Sequence, residues 1–371
     1  MRSSRILLIL ILCATFAYFW IDHLELRKKF RSAAARCLKL NLSALEKQEQ
    51  IRKAGEKRLM DLELFQRQNS YQLPRTSAFS TTNSSTICKG NDEDRCLPKF
   101  LNLETRMRVA SRYKLSACLI QKSLSTVISA VMCYLTNETA FENAGRTFRT
   151  EYAKDQFCKK TSEVNDVNKS LQLEAENSVA KNWTLFAVVR DPIDRFLSGY
   201  VDKCIRLRKQ TPNEMNIFFR NPTRVRYCNN CYANMTCFIL KEYERFRNQT
   251  KSGKLRKTFE DRHFAPQNWR CAFNEHRYRF IRASTTPNST ESFLTQLSEI
   301  LRNQQVPRTS LEFIQKEIRN GRTIQSTVAS KARRFYEERL RSSPFLMEYI
   351  VRLFWHDFLL FDFKVPEINF N

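Results

Sequence analysis

Residues 185–205 read LFAVVRDPIDRFLSGYVDKCI, and this stretch decides the fold. Leu185–Val189 is an unbroken run of five apolar residues, which is typical of a strand buried on both faces. Asp191 can cap a helix, and Pro192 suits the first helical turn. From Ile193 onward, apolar residues recur at the spacing of one helical face. The stretch therefore predicts a buried strand, a charged turn and a helix.

A turn of this kind is a natural position for an anion. In an open sheet of parallel strands, ligands bind beyond the carboxyl ends of the strands and beside helix N-termini. Arg190 lies at the strand end, and Arg195 and Ser198 lie on the first two turns of the helix. A guanidinium and a hydroxyl so placed could hold a phosphate. The alternative is that Arg190 only pairs with Asp191 and that Ser198 is a small packing residue.

A second segment, YKLSACLIQKSLSTVISAVMCY (113–134), has the same organisation. We predict a strand that ends at Ile120, a polar turn over 121–126 and a buried helix from about Ser125. The turn offers one ammonium, three hydroxyls and backbone N–H groups at a helix start. These groups could bind a second anionic group.

The two segments together resemble the nucleotide-binding elements of Golgi carbohydrate sulfotransferases, with QKSLST (121–126) in the first and VVRDPIDRFLSGY (188–200) in the second. The segment LFWHDFLLFDFKVPE (353–367) resembles the closing segment of the branch that includes chondroitin 4-O-sulfotransferases and the HNK-1 sulfotransferase. The blocks QKSLST, NMTCF and RHFAPQ are most similar to nematode-type members. The resemblance covers roughly 112–366. One departure is Gln121, where chondroitin-type enzymes usually have proline before the lysine.

The resemblance implies transfer of a sulfuryl group from 3′-phosphoadenosine-5′-phosphosulfate to a glycan hydroxyl, with the 4-O position of chondroitin-type N-acetylgalactosamine as the expected acceptor. In that family the first loop holds the 5′-phosphosulfate and the second holds the 3′-phosphate. The residues expected at the 5′ end are Lys122, Ser123, Ser125 and Thr126. Arg190 and Ser198 are expected at the 3′-phosphate. Lys122 is also the expected stabiliser of the leaving group.

The fold class that the resemblance implies is α/β, a P-loop-like sulfotransferase fold with a central parallel sheet flanked by helices. We predict a cytosolic tail (1–5), a transmembrane signal-anchor (6–21), a stem (22–105) and a lumenal sulfotransferase domain (106–371). The alternative to a stem is a helical subdomain that packs on the core.

The predicted anchor is an uncharged run from Ile6 to Ile21. At about 1.5 Å per residue it spans roughly 24 Å, which is near the thickness of the thinner early secretory membranes. A cleaved signal peptide is the alternative, but bulky residues such as Phe19 and Trp20 stand where a cleavage site needs small ones. We therefore expect a single-pass type II protein of the Golgi membrane.

Features of the remaining chain indicate a secretory lumen. Eight Asn-x-Ser/Thr acceptor sites for glycosylation occur, at Asn41, Asn83, Asn137, Asn168, Asn182, Asn234, Asn248 and Asn288. Asn182, three residues before the predicted strand, is the least expected to be used. Eleven cysteines follow the predicted anchor, so at least one lies outside any pairing within the chain.

The cysteines are expected to form disulfides. The cluster Cys228, Cys231 and Cys237 could suggest zinc, but no nearby histidine completes a ligand set, and disulfides are the better interpretation. Cys88 and Cys96 could close a small loop.

The formal net charge of +25 indicates a polyanionic partner. A basic chain commonly binds nucleic acid, but the glycosylation sites and the hydrophobic leader place this chain elsewhere. We expect an anionic glycan or proteoglycan acceptor and a nucleotide with several phosphates.

His263, in the block DRHFAPQ (261–267), is the candidate general base. It stands next to Asp261 and before a proline-bounded turn, where we expect a rigid loop. The resembling branch carries a similar histidine block. The alternatives are a structural histidine, a residue that positions the acceptor, or one that orders a loop over the nucleotide.

Two other classes of protein are alternatives to a sulfotransferase. A kinase, NTPase or dinucleotide oxidoreductase is disfavoured because no glycine-rich phosphate motif occurs and the six glycines stand singly. A catalytically inactive lumenal glycan-binding protein on the same fold remains the alternative. No metal is expected, since a sulfate donor carries less charge than a nucleoside triphosphate.

Overall fold

The structure is a computed structural model that describes residues 76–79, 86–151, 157–172, 182–206, 227–231, 233–256, 258–284, 289–320 and 330–370. These residues belong to one compact unit spanning Tyr71–Asn371. The predicted tail and anchor (1–21) and the first part of the predicted stem (22–75) lie outside the described residues. Within the described ranges, none of the helices combines the length and apolar character needed to cross a bilayer.

A five-stranded sheet forms the centre of the unit, in the order β3-β1-β2-β4-β5. The strands are β1 (Met107–Ala110), β2 (Leu115–Cys118), β3 (Glu163–Val164), β4 (Thr184–Arg190) and β5 (Tyr278–Ala283). Strands β2, β4 and β5 run parallel, as predicted. The prediction of a wholly parallel sheet is wrong, because β1 pairs antiparallel with both β2 and β3. The link from β1 to β2 is one short turn, Ser111–Lys114, which is too short for a parallel crossover.

Helices flank this mixed sheet. They are α1 (Ser125–Thr136), α2 (Glu138–Asn143), α3 (Phe148–Glu151), α4 (Lys159–Ser162), α5 (Val167–Gln172), α6 (Pro192–Tyr200), α7 (Met235–Ser252), α8 (Phe259–Phe264), α9 (Ser289–Asn303), α10 (Arg308–Arg319), α11 (Lys331–Arg341) and α12 (Pro344–Leu360). A π-helical turn, Val201–Arg206, continues α6.

Hydrophobic cores lie on both faces of the sheet. On one face, residues of α1, α9 and α10 pack against alternate strand residues such as Ala117, Phe186 and Ile281. On the other face, a smaller cluster joins Ala187 and Val189 to residues of later segments. Strand β4 contributes residues to both clusters, one from each of its faces. Its apolar run is therefore unbroken rather than alternating.

The polar character of residues 143–181 and their acceptor site at Asn168 predict a surface insert. Where the structure describes this segment, some of its side chains are buried in the core. Phe148 is fully buried and packs against the ring of Phe313 at a centroid distance of 6.0 Å. Arg108 of β1 is buried and pairs with Glu163 of β3 at 3.0 Å. The burial of the aromatic ring and the ion pair hold the segment on the domain. Many described residues of the segment are exposed, as predicted, but its buried side chains attach it to the core.

The segment before β1 contacts the last helix. Cys88 and Cys96 form the predicted disulfide. Arg352 of α12 is fully buried and pairs with Asp92 at 2.6 Å, and the indole N–H of Trp269 donates to the carbonyl of Pro98 at 2.7 Å. A buried guanidinium without a carboxylate partner would be costly, so these contacts anchor the segment to the domain.

Candidate functional site

The first half of the site is the junction of β4 and α6. Asp191 caps α6, as predicted, and accepts a hydrogen bond from the backbone N–H of Asp194 at 2.9 Å. Arg190 ends the strand, is 7% exposed, and donates through Nη1 to the carbonyl oxygen of Lys122 at 3.3 Å. Its buried Nε has no hydrogen-bond acceptor among the described residues. Burial lowers the pKa of Arg190 to about 10.

The second half is the loop between β2 and α1. Lys122 and Leu124 both adopt left-handed backbone conformations, with φ of 71° and 55°. Such conformations are uncommon for residues other than glycine and concentrate at functional sites. Leu124 precedes α1 and gives it no side-chain cap, so backbone N–H groups at the helix start lack that partner. Ser125 and Thr126 begin α1 and are half-buried.

The Lys122 ammonium pairs with the carboxylate of Asp202, and the ammonium of Lys203 lies 2.9 Å from the same oxygen, Oδ2. Burial lowers the pKa of Lys122 to about 8, against the opposing attraction of Asp202. Burial alone would raise the pKa of Asp202, but the two lysines outweigh it and hold that pKa well below its usual value. The carboxylate is therefore ionised.

Gln267 connects the two halves. Its side-chain Oε1 accepts from the backbone N–H of Arg190 at 3.0 Å and from the hydroxyl of Ser123 at 2.9 Å. Its Nε2 donates to the carbonyl of Arg190 at 2.8 Å. The Ser123 hydroxyl is thus engaged with Gln267 inside the protein, and Ser123 is 1% exposed.

Asp357 supports Gln267 from the C-terminal helix. Its carboxylate accepts from the backbone N–H groups of Gln267 and Asn268 at 2.7 and 2.9 Å. Asp357 is fully buried, and burial raises its pKa. Helix α12 therefore contributes a polar support as well as the apolar packing that its sequence predicts.

Arg195 of α6 also connects the two halves of the site. Its Nε donates to the carbonyl of Gln121 at 3.1 Å, and its Nη1 donates to the carbonyl of Ala265 at 2.9 Å. Ser198 is buried on the next turn of α6. Arg333 of α11 is also buried and donates to the backbone carbonyl of Asp194 at 3.2 Å.

His263 lies in α8 rather than on the predicted loop, because Thr258 and Asp261 form a capping box that starts a helical turn. Its Nδ1 lies 2.7 Å from the carbonyl oxygen of Phe259. A carbonyl can only accept, so Nδ1 carries the proton. Burial, and then the charges of Lys203 and Lys122, lower the pKa of His263 well below its usual value. The neutral ring therefore keeps an unprotonated Nε2.

The structure brings the predicted residues Lys122, Ser123 and Arg190 together, with His263 within electrostatic range of Lys122. The hydroxyl-rich segment 284–289 could contact the nucleotide or the sugar, but its residues 285–288 lie outside the described residues.

Sequence reasoning missed several residues of the site: Asp202, Lys203, Gln267, Arg333 and Asp357. A signal existed for two of these positions. Asp202 and Lys203 stand between the apolar residues Val201 and Cys204 of the predicted helix, and charged residues beside core positions indicate polar contacts.

The cysteines form disulfides, as expected. Cys228 pairs with Cys204 and Cys231 pairs with Cys237, which makes zinc binding by this cluster a wrong alternative. Two further disulfides are Cys118–Cys271 and Cys133–Cys158.

Comparison with known proteins identifies the class of enzyme. Residues 105–364 match the Sulfotransferase family, and the chain belongs to this family. It is a sulfotransferase, a class that takes sulfate from 3′-phosphoadenosine-5′-phosphosulfate. No solved structure matches the chain.

Three relatives from Caenorhabditis elegans are similar to most of the chain. Uncharacterized protein C18B2.2 is 43% identical over 75% of this chain and 74% of its own length. Putative sulfotransferase vep-2 is 36% identical, over 77% and 84% respectively. Carbohydrate sulfotransferase chst-1 is 31% identical, over 74% and 80%.

Proposed function

We propose that the protein transfers a sulfuryl group from 3′-phosphoadenosine-5′-phosphosulfate to a hydroxyl of a glycan. The observation that carries the proposal is the contact between the two predicted anion-binding segments. Arg190 donates to the carbonyl of Lys122 at 3.3 Å, so both segments face one site. One molecule of the sulfate donor, with its 5′-phosphosulfate and its 3′-phosphate, can bind both segments only if the two segments lie side by side.

The residues fit an anionic donor. Two lysines share the single carboxylate of Asp202, which leaves positive charge in a poorly exposed site. The buried N–H at Nε of Arg190 has no hydrogen-bond acceptor among the described residues. Buried N–H groups normally have an acceptor, and an oxygen of the nucleotide could supply it. Lys122, Ser125 and Thr126 are proposed at the 5′-phosphosulfate. Ser123, which was expected there, is buried and donates its hydroxyl to Gln267, so we propose that it supports the loop instead. Arg190 and Ser198 are proposed at the 3′-phosphate.

In the proposed reaction the acceptor hydroxyl attacks the sulfur atom. A new O–S bond forms, the S–O bond to the 5′-phosphate breaks, and 3′-phosphoadenosine-5′-phosphate leaves. Lys122 stabilises the negative charge that develops on the bridging oxygen. His263 Nε2 takes the hydroxyl proton, because this nitrogen is unprotonated in the tautomer that Phe259 fixes.

We propose chondroitin-type N-acetylgalactosamine, at its 4-O position, as the acceptor. The support is the resemblance of 353–367 to the chondroitin 4-O and HNK-1 branch, together with the net charge of +25, which favours an anionic polysaccharide. The name of the relative chst-1 supports a carbohydrate acceptor in general.

We propose that the protein resides in the Golgi membrane as a single-pass type II glycoprotein with a lumenal catalytic domain. The uncharged run 6–21 supports an anchor. Five disulfides support an oxidising compartment. The glycosylation-site asparagines that the structure describes are all exposed: Asn137, Asn168, Asn182, Asn234 and Asn248. A shift in mobility after treatment with an N-glycanase tests the lumenal orientation.

Two measurements on the full-length protein test the function. We expect 3′-phosphoadenosine-5′-phosphate to raise the melting temperature, and labelled donor to pass its sulfate to one member of a glycan panel. An inactive glycan-binding protein would show no response to the nucleotide and would transfer nothing. Nucleotide binding with transfer to a non-chondroitin sugar would overturn only the acceptor.

A further inference from the structure

A second lysine reaches the site beside Lys122. Lys203 lies in the π-helical turn after α6, whereas Lys122 lies in the loop after β2. Both ammonium groups contact the same carboxylate oxygen, Oδ2 of Asp202. π-Helical turns often occur at functional sites because they break the regular direction of side chains. Here the turn brings the side chains of the adjacent residues Asp202 and Lys203 together beside Lys122.

The three side chains are poorly exposed. The side-chain exposures are 7% for Lys122, 10% for Asp202 and 14% for Lys203. Lys203 Nζ also lies 5.7 Å from the ring centroid of Phe259, a cation–π distance. Two ammonium groups and one carboxylate leave one uncompensated positive charge. A poorly solvated excess of charge is unfavourable unless an anion neutralises it.

Each ammonium group can donate three hydrogen bonds. Both groups contact one acceptor oxygen, Oδ2 of Asp202. A dianionic phosphate would satisfy two ammonium groups better than one carboxylate oxygen, because it offers more oxygens and more charge. Asp202 occupies the place that such an oxygen would take.

We propose that Lys203 is a second binding lysine for the 5′-phosphate end of the donor, and that Asp202 is a positioning residue that holds both lysines until the donor's oxygens replace it. This inference rests on the proposed function. It assigns no proton transfer to Asp202, since a carboxylate between two ammonium groups is a poor base.

The test measures nucleotide binding to the full-length protein by calorimetry, with two probes. These are 3′-phosphoadenosine-5′-phosphate and adenosine 3′-phosphate, which lacks the 5′-phosphate. Lys203→Met should weaken binding of the first probe about 10- to 100-fold, the usual effect of losing a charged hydrogen bond, and leave the second unchanged. Lys203→Arg should retain most of the affinity. The control is Lys316→Met, at an exposed lysine of α10.

Asp202→Asn gives an independent signature that depends on pH. The charged and titratable groups around Lys122 are Asp202, Lys203, Arg190 and His263. Without the carboxylate, which opposes the effect of burial on the pKa of Lys122, Lys122 should release its proton at lower pH. Binding of the bisphosphate should therefore be tighter than wild type at pH 6.5, since the internal competitor is gone, and weaker at pH 9. A purely structural Asp202 would weaken binding at both values.

The outcomes separate this inference from the function on which it rests. If the wild-type protein does not bind 3′-phosphoadenosine-5′-phosphate, the proposed function fails. If wild type binds but Lys203→Met weakens both probes equally, or neither, the role of Lys203 is overturned while the function stands. Binding by Asp202→Asn that is weaker at both pH values overturns the role of Asp202.

Discussion

The side-chain amide of Gln267 hydrogen-bonds both backbone groups of Arg190, accepting from its N–H at 3.0 Å and donating to its carbonyl at 2.8 Å. The amide thus pairs with the end of β4 much as a neighbouring strand would. It fixes the residue that we propose at the 3′-phosphate.

Gln267→Leu keeps the side-chain volume but leaves the buried backbone groups of Arg190 unpaired. Each unsatisfied buried group costs about 1–3 kcal/mol, so we expect the free energy of unfolding to fall by roughly 2–4 kcal/mol. Chemical denaturation measures the change. Gln296→Leu is the matched control, because the hydrogen bonds of Gln296 are exposed and water can replace them. Equal losses in both variants would contradict the role of Gln267.

Lys122→Ala should abolish most of the turnover while folding and glycosylation persist. Loss of one group that stabilises developing charge typically costs about 10²–10³ in kcat. Steady-state kinetics with labelled donor measures it, and Lys316→Ala, at an exposed lysine, is the control. Turnover at the wild-type rate would remove Lys122 from the mechanism.

The wild-type enzyme should lose activity as the pH rises through about 8. Burial lowers the pKa of Lys122 to about that value, and only the protonated ammonium carries the charge that binds and stabilises an anion. A pH profile of kcat/KM should show this alkaline limb. A profile that is flat from pH 7 to 9.5 would contradict the assignment.

Arg190→Ala should mainly raise the KM for the donor. A lost hydrogen bond to a charged group costs about 1.5–3 kcal/mol, or roughly 10- to 150-fold. Arg190→Lys should recover part of the affinity, since it keeps the charge but not the fork of donors. Arg279→Ala, at an exposed arginine of β5, is the control. A drop in kcat with unchanged KM would argue against the 3′-phosphate role.

His263→Ala should reduce kcat by about 10²–10⁴, the usual contribution of a general base. Binding of 3′-phosphoadenosine-5′-phosphate should stay the same, because the histidine is proposed on the acceptor side. His276→Ala is the control at another histidine. Since the pKa of His263 lies well below its usual value, the wild type should keep its activity from pH 7 down to 6.5. Unchanged kcat in the variant would exclude His263 as the base.

Gly199→Ala should weaken the contact between α6 and α8. A Cβ at this position would come within 2.9 Å of the Phe264 ring, closer than normal packing allows. We expect a lower melting temperature although alanine is the better helix former. The double variant Gly199→Ala/Phe264→Leu should lose less stability than the sum of the two single changes. Additive losses would show that the contact is unimportant.

The local parts of the fold could be predicted because their signals are local. The apolar run before Arg190 and the Asp191-Pro192 pair specify the strand and the helix start without help from distant residues. The same holds for α12, whose start is specified by the capping residue Ser343 and by Pro344 in the first turn. Elsewhere the position of a helix end depends on its capping residue, as for α11, which starts after Ser330.

The rest of the site depends on contacts between residues far apart in the chain. Lys122 and Asp202 are 80 positions apart, Arg190 and Gln267 are 77, and Gln267 and Asp357 are 90. No periodicity or cap links such pairs. The short antiparallel strand β1 was missed for a similar reason, because its four residues show no alternation and are all buried.

The disulfide between Cys118 and Cys271 joins the end of the strand that precedes Lys122 to the segment that follows Gln267, across 153 positions. During synthesis, this bond cannot close until most of the domain has emerged from the ribosome. A shortened chain that stops before Gln267 would carry both segments that we propose to bind the donor, yet it would lack the disulfide and the glutamine that join them. Assembly of the pocket is therefore a late event in the maturation of the protein.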